Sequence, residues 1–222
     1  MRDVSQNAIQ KTKVAIIGAG FGGLAMSIRL LQSQMNDFVI LEKTNDVGGT
    51  WRENQYPGAA CDVQSHMYSL SFAPKTDWSK RYAEADEIFE YIQDITQQYR
   101  LKDYCKFNHE VTHAEFDENR NVWSLDFKDQ PSIEAQFVIF ASGPLHVPQI
   151  PHIKGIEKFK GKVFHSSKWE HDYDLAGKSV ASIGTGGSAI QYIPEIAPEV
   201  KQLYVFQRTA AWVIPRDERK YS

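Results

Sequence analysis

At 222 residues the chain is long enough for one or two domains, and its 42% hydrophobic and 24% charged residues are the balance of a globular protein. A net charge of −3 gives no electrostatic reason to expect nucleic acid or an anionic membrane as a partner. Two cysteines, Cys61 and Cys105, cannot build a disulfide framework and lack C-x-x-C spacing; they fit a reducing compartment as free, buried and inert thiols.

Residues 1–12 are polar and without periodicity, the pattern of a frayed tail. Residues 13–17 are a β-branched run that fits a strand buried on both faces. Residues 14–28 carry no charge and follow Lys11 and Lys13, which superficially resembles a signal peptide. The segment is too short for a transmembrane helix, which needs about 20 apolar residues, and it holds four glycines. The expectation is a cytoplasmic protein with no membrane partner. The run enters Gly18-Ala19-Gly20-Phe21-Gly22-Gly23, followed by a helix over 24–34 and a strand over 38–41 that ends at Glu42. Strand, G-x-G-x-x-G loop, helix, strand is the setting of a dinucleotide site. Gly18 permits the tight turn, Gly20 lets a pyrophosphate approach the backbone, and Gly23 lets helix and strand pack closely. The phosphates then meet the helix N-terminus, and Glu42 is placed to accept ribose hydroxyls.

Gly48-Gly49-Thr50-Trp51 follows; by itself the glycine pair fits an ordinary turn as well as a backbone passing close to a ligand. Tyr56-Pro57-Gly58-Ala59-Ala60-Cys61-Asp62 carries a Pro-Gly turn signal. Residues 63–83 are aromatic-rich and aperiodic, an irregular region. Ile88, Tyr91, Ile92, Ile95 and Tyr99 form the apolar stripe of a packing helix over 84–100. Two strands over 110–116 and 121–127 flank an Asp-Glu-Asn-Arg turn cluster, predicting a hairpin, and 135–141 reads as another buried strand. His109-Glu110-Val111-Thr112-His113 matches H-E-x-x-H, but a zinc site needs both histidines on one helix face. The β-branched interior and the nearby turn cluster predict a strand with two surface histidines and no metal.

Residues 145–156 contain two prolines and no period, the character of a crossing between domains. Residues 159–170 then read F-x-G-x-x-x-H-x-x-x-W, with His165 and Trp169. A strand over 178–183 opens a second loop, Gly184-Thr185-Gly186-Gly187-Ser188-Ala189, with alanine in the third glycine position. A helix over 188–197 and a strand over 203–206 follow, then Gln207, Arg208 and Thr209. Gly18 to Glu42 and Gly184 to Arg208 are both 24 positions, so by count an acid and an arginine share one slot. An acid there suits ribose hydroxyls; an arginine offers a planar donor fork to a 2′-phosphate.

The stretch 159–170, between two such loops, resembles the fingerprint of the Baeyer–Villiger monooxygenases, and Gly-Gly-Thr-Trp and Tyr-Pro-Gly-x-x-Cys-Asp resemble segments of the same family. The resemblance covers residues 13–215. It implies an α/β flavoprotein with two Rossmann-like dinucleotide-binding domains: an FAD domain over 1–145 and, over 146–222, the linker and the start of an NADP domain. It implies oxygen insertion from O2 into a ketone through a C4a-peroxyflavin, giving an ester or lactone. It places FAD on Gly18, Gly20, Phe21, Gly23, Glu42, Gly49, Thr50, Trp51 and Asp62. It places NADPH on Gly184, Gly186, Ser188, Arg208 and Thr209. Asp62 and His165 receive supporting catalytic roles, Asp62 by positioning a catalytic arginine and His165 by hydrogen bonding; a structural His165 satisfied by backbone is the alternative.

Glu170 stands where the family usually has Pro or Asp. The N- and S-oxygenating flavin monooxygenases have Tyr or Phe where Trp169 stands, so they are the second reading. The resemblance covers only the family's N-terminal part. The return segment of the FAD domain and the catalytic arginine are therefore expected beyond residue 222, and a third reading is a nucleotide-binding fragment without turnover.

Overall fold

The computed structural model describes residues 9–145, 147–210, 212 and 214–221. By internal contact the chain divides into two units. The first joins the residues up to Gly49 with Ile92–Pro144; the second joins Thr50–Tyr91 with the residues from Leu145 on.

The first unit is built on one sheet. β1 (Gln10–Ile17) leads through α1 (Phe21–Gln32) to β2 (Phe38–Leu41), parallel to β1 with Val14 opposite Phe38. α2 (Thr50–Glu53), in the second unit, is one turn; α3 (Ala85–Gln98), which passes from the second unit into the first at Ile92, buries Ile88, Tyr91, Ile92 and Ile95 as its three- and four-residue spacing predicts. β3 (Cys105–Lys106), β4 (Val111–Asp117), β5 (Val122–Phe127) and β6 (Ile133–Phe140) complete the sheet in the order β3-β2-β1-β6-β5-β4. Its core is Ala15, Val39, Leu41, Leu125, Phe127, Ile133 and Ala135. α1 buries Gly23, Leu24, Ser27 and Ile28, one face at helical period.

The expected hairpin is present. Asp117 Oδ1 accepts the N–H groups of Asn119 (2.9 Å) and Arg120 (3.1 Å), an Asx-type turn that reverses the chain between β4 and β5. His113 lies on β4 and His109 precedes it, so H-E-x-x-H is not helical here.

Two expectations need correction. The tail assigned to residues 1–12 holds only up to a point: Gln10, Lys11 and Thr12 are already strand, because Ile133, Glu134 and Ala135 of β6 offer them ladder partners. Residues 1–8 lie outside the described residues. The run 135–141 is not buried throughout; Phe137 and Phe140 are 58% and 62% exposed. β6 pairs with β1 along its full length but with β5 only through Ile133–Ala135.

Glu134 sits at this junction, hydrogen-bonded by Arg120 and 3.4 Å from Lys11 Nζ. The Arg120 hydrogen bond holds its carboxyl below the usual carboxylate range. A depressed carboxyl stabilises the fold above its unfolded pKa, about 4.3, and that contribution is lost as pH falls through the native value. Glu134→Gln should therefore flatten the acid limb of stability, read as urea midpoints at about pH 5 and about pH 3. An unchanged acid limb would remove Glu134 from the account.

In the second unit β7 (Ser179–Ile183), α4 (Gly187–Ile196) and β8 (Gln202–Phe206) repeat strand, helix, strand, with Ile183 opposite Phe206 in a parallel pair. α4 closes at Ile196, ahead of Pro198, and accommodates Pro194 within its last turn. The expected irregular region over 63–83 is organised by the Tyr91 hydroxyl, which accepts the Leu70 N–H (2.9 Å) and donates to the Ala73 carbonyl (2.6 Å). Residues 79–81 also pair with the chain end: Arg81 N–H donates to Arg219 O and Tyr221 N–H to Ser79 O, each at 2.9 Å. Among the described residues no helix is long and apolar enough to cross a membrane.

Candidate functional site

The first glycine loop divides its glycines between two masters. Gly18 has φ +106°, and a Cβ there would lie 2.6 Å from the Ala141 carbonyl oxygen. A Cβ on Gly23 would lie 1.9 Å from the Gly18 carbonyl oxygen. Both are glycine because the protein's own backbone fills the space. Gly20, the N-cap of α1, has φ −85° and ψ −169°, open to any residue. Its nearest neighbour to an added Cβ is Gly49 Cα at 3.6 Å, an ordinary contact. The fold does not require glycine at 20, which leaves the space before the helix as the reason for it. No side chain caps α1, and Phe21 opens it half-buried. The Gly48-Gly49 turn lies against this loop: Gly48 N–H donates to Ala19 O (3.0 Å), and a Cβ on Gly49 would come within 3.0 Å of Gly20 Cα.

Glu42 is buried, and its carboxylate works within the loop. Oε2 accepts the Ala19 N–H at 2.9 Å; Oε1 accepts the Thr44 N–H (2.9 Å) and hydroxyl (2.8 Å). A carboxylate offers about four lone-pair sites, so roughly one remains for an incoming hydroxyl. Cys105, near Glu42, is pushed up to about 12 by burial and then by the Glu42 carboxylate; burial also raises Cys61. Neither thiol is a nucleophile at neutral pH.

The second loop repeats the first in backbone. Gly184 has φ +101° and Gly186, the N-cap of α4, has φ −76° and ψ −176°. Gly18 N–H donates to Leu41 O and Gly184 N–H to Phe206 O, each at 2.8 Å. A Cβ on Gly184 or Gly186 would meet nothing within 4 Å, so packing does not demand glycine at 186 either. Ala189, in the third position, is buried.

Strand register corrects the slot inferred by counting. Ile17 faces Leu41 whereas Ile183 faces Phe206, so the residue opposite Gly18 is Glu42 and the one opposite Gly184 is Gln207. Gln207 Nε2 donates to Thr185 Oγ1 at 3.0 Å, the counterpart of the Glu42 bond to Ala19. Arg208 stands one residue further out, exposed, with Thr209 exposed beside it. The loop-bracing role thus falls to Gln207, and Arg208 is left to face solvent.

Around α4 the second unit gathers several of the residues singled out in the sequence. Gln191, buried on α4, uses its whole amide on the Tyr56–Asp62 segment. Oε1 accepts the Tyr56 hydroxyl (3.0 Å) and the Ala60 N–H (3.3 Å); Nε2 donates to Ala60 O (2.9 Å) and Asp62 Oδ1 (3.2 Å). Burial pushes the Tyr56 phenol up, a Ser188 hydrogen bond pulls it down, and Asp62 pushes it up again. Trp169 packs on Tyr192 with ring centroids 5.3 Å apart, and Tyr192 meets Tyr56 edge-on at 6.2 Å. Trp51 donates from Nε1 to the Tyr68 hydroxyl at 3.0 Å, and Thr50 O accepts the Asn54 amide at 2.9 Å. His165 Nδ1 accepts the Ser167 N–H at 3.1 Å and caps the short turn Ser166–Lys168, which puts the neutral ring's proton on Nε2.

Gln191 and Tyr192 are the residues that sequence reasoning passed over. The available signal was a lone amide in the apolar run Ala189-Ile190-Gln191-Tyr192-Ile193. Among the described residues no cluster of His, Cys, Asp and Glu could hold a metal ion.

A family model for flavin-binding monooxygenase-like proteins matches residues 11–221. A Baeyer-Villiger monooxygenase of Pseudomonas aeruginosa is 47% identical over 215 residues, covering 97% of this chain and 41% of that protein. One from Streptomyces coelicolor is 46% identical over 213 residues, covering 96% of this chain and 41% of that protein. The crystal structure of OTEMO in complex with FAD and NADP matches with a TM-score of 0.89 at 35% identity, over 95% of this chain and 41% of that one. The α/β fold class expected from the sequence agrees with that match, and the chain spans about 41% of the length of these relatives. With a family match running from residue 11 to residue 221, the chain belongs to the flavin-binding monooxygenase-like family.

Proposed function

We propose that this chain is the nucleotide-binding portion of a cytoplasmic FAD- and NADPH-dependent monooxygenase of the Baeyer–Villiger type, acting on a small-molecule ketone. The observation that carries the reading is the pair of loops. Both leave space where Gly20 and Gly186 lack a Cβ, and a buried carboxylate braces one while a neutral amide with an arginine beyond it follows the other. FAD would be held by Gly18, Gly20, Phe21, Gly23 and Glu42 and would supply the redox chemistry for oxygen transfer from O2 to the carbonyl at the expense of NADPH.

The chain's own residues bind and orient. Gly18, Gly20, Phe21 and Gly23 present the α1 N-terminus to a pyrophosphate, and Glu42 keeps one acceptor site for a ribose hydroxyl. Gly49, Thr50 and Trp51 form the turn and first helical positions expected beside the flavin. Gly184, Gly186 and Ser188 present the α4 N-terminus to the second dinucleotide, with Arg208 and Thr209 for its 2′-phosphate. Asp62, held by Gln191, keeps a carboxylate oriented for a cationic partner. His165 acts through hydrogen bonding, with Nδ1 committed to Ser167 and Nε2–H left to donate.

The test is the visible spectrum of the purified chain equilibrated with FAD and freed of excess. Retained flavin absorbance that bleaches with NADPH under anaerobic conditions is the expected result for this chain, and ketone-dependent ester formation in air is expected where the family's catalytic arginine is also supplied. Bleaching with amine or sulfide oxidation but no ester would replace ketone oxidation with heteroatom oxygenation. A colourless protein would overturn FAD binding by this chain.

A further inference from the structure

Gly58 has φ +73°, and a Cβ there would lie 2.9 Å from the Gln191 carbonyl oxygen and 2.8 Å from Glu195 Cγ. The Tyr56–Asp62 segment therefore runs with its backbone pressed against α4. Four hydrogen bonds from one buried amide then fasten it: the Tyr56 hydroxyl, both polar backbone groups of Ala60, and the Asp62 carboxylate. A neutral glutamine has two donors and an acceptor oxygen, and here both ends are spent on a segment some 130 residues away in sequence. The same helix begins at Gly186, in the second glycine loop, one turn before Gln191.

We infer that Gln191 is a positioning residue that transmits the state of the second dinucleotide loop to Asp62 and the Tyr56–Asp62 segment. The step rests on the reading that this loop takes NADPH. An α-helix is stiff over one turn, so a displacement of the α4 N-terminus on ligand binding moves the Gln191 amide with it. The segment should follow, because the Gln191 amide is buried and leaving it unpaired costs about 1–3 kcal/mol; Asp62, itself exposed, is carried along with Ala60. Tyr56, bonded to Gln191 and within reach of Ser188, gives a second grip on the same helix. A carboxylate that the resemblance gives a supporting catalytic role is thereby placed by a residue of the helix that follows the second glycine loop.

The experiment is an NADP+ titration of the full chain followed by amide NMR, with Gln191→Met and Gln191→Glu as variants. Methionine keeps the volume and removes all four bonds; glutamate keeps the acceptor oxygen and loses both donors at neutral pH. In the native chain, amide shifts at Gly184–Ser188 and at Ala60 and Asp62 should titrate with one dissociation constant. In both variants the shifts at Ala60 and Asp62 should shrink roughly fivefold, while NADP+ affinity changes by less than about threefold. Undiminished shifts at Ala60 and Asp62 in Gln191→Met, or native behaviour in Gln191→Glu, would overturn the inference. If NADP+ leaves Gly184–Ser188 unmoved in the native chain, the dinucleotide reading of that loop fails instead. The positioning role then stands or falls on ligand-free spectra: Ala60 and Asp62 amides displaced in Gln191→Met, with the Gly184 loop unchanged, keep it; unchanged amides end it.

Discussion

Gly23→Ala should cost the first unit about 3 kcal/mol or more, whereas Gly20→Ala should stay folded and lose flavin. The contrast follows from what an added methyl group meets. At Gly23 it would sit 1.9 Å from the Gly18 carbonyl oxygen, a backbone atom that cannot rotate away. α1 would have to lift from β1 and β2, opening the face now filled by Leu24 and Ile28. Overpacking commonly costs about 1–3 kcal/mol where side chains can yield. Here backbone faces backbone, so the upper end applies, a large share of a typical total of about 5–15 kcal/mol. At Gly20 the nearest atom is 3.6 Å away and the dihedrals suit alanine, so the cost is about 1 kcal/mol, the loss of a tolerable N-cap. The methyl group instead projects into the space before the helix, where a pyrophosphate must reach the N–H groups, and FAD affinity should fall at least about tenfold. Urea unfolding and FAD retention, measured on both variants, separate the effects. A Gly20→Ala protein that keeps native FAD affinity would remove the first loop from the flavin site.

The first dinucleotide unit was legible because its signals are local. The run Val14-Ala15-Ile16-Ile17, the glycine spacing and the acid after Leu41 all lie within one strand–helix–strand segment, and β1, α1 and β2 follow them closely. The features that were not legible depend on partners far along the chain. Gln10 is strand because β6 reaches back to it, and Phe137 is exposed because β5 pairs only with the first residues of β6. The Gln207 slot needed strand register: equal counts of 24 positions pointed to Arg208, but the second unit reaches its paired position one residue earlier. Gln191 could not be read at all, since an amide in an apolar helix has no meaning until Ala60 and Asp62 are seen against it. Local periodicity and loop chemistry thus identify the nucleotide folds, while contacts within the second unit such as Gln191 with Ala60 and Asp62 are a product of tertiary pairing.

Arg208→Ala should weaken NADPH binding about 10- to 150-fold, the equivalent of the 1.5–3 kcal/mol of a hydrogen bond to a charged group, with little effect on NADH. Register makes this sharper than a count of positions does. Gln207 occupies the slot where the first unit has Glu42, but it donates to the Thr185 hydroxyl in an exposed bond where Glu42 accepts the buried Ala19 N–H. A glutamine in that slot carries no charge to repel a 2′-phosphate, and Arg208, next along and exposed, supplies the cation that attracts one. Preference for NADPH then has two separable parts, tolerance from Gln207 and attraction from Arg208. Gln207→Ala should loosen the loop and weaken NADPH and NADH alike, whereas Arg208→Ala should act on NADPH alone. Gln207→Glu restores the acid of the first unit and should reverse the preference, because a carboxylate accepts ribose hydroxyls but opposes a dianionic phosphate. Binding titrations of both nucleotides to the three variants resolve the parts. Equal losses of NADPH and NADH in Arg208→Ala would sink the 2′-phosphate assignment and reduce Arg208 to a surface charge.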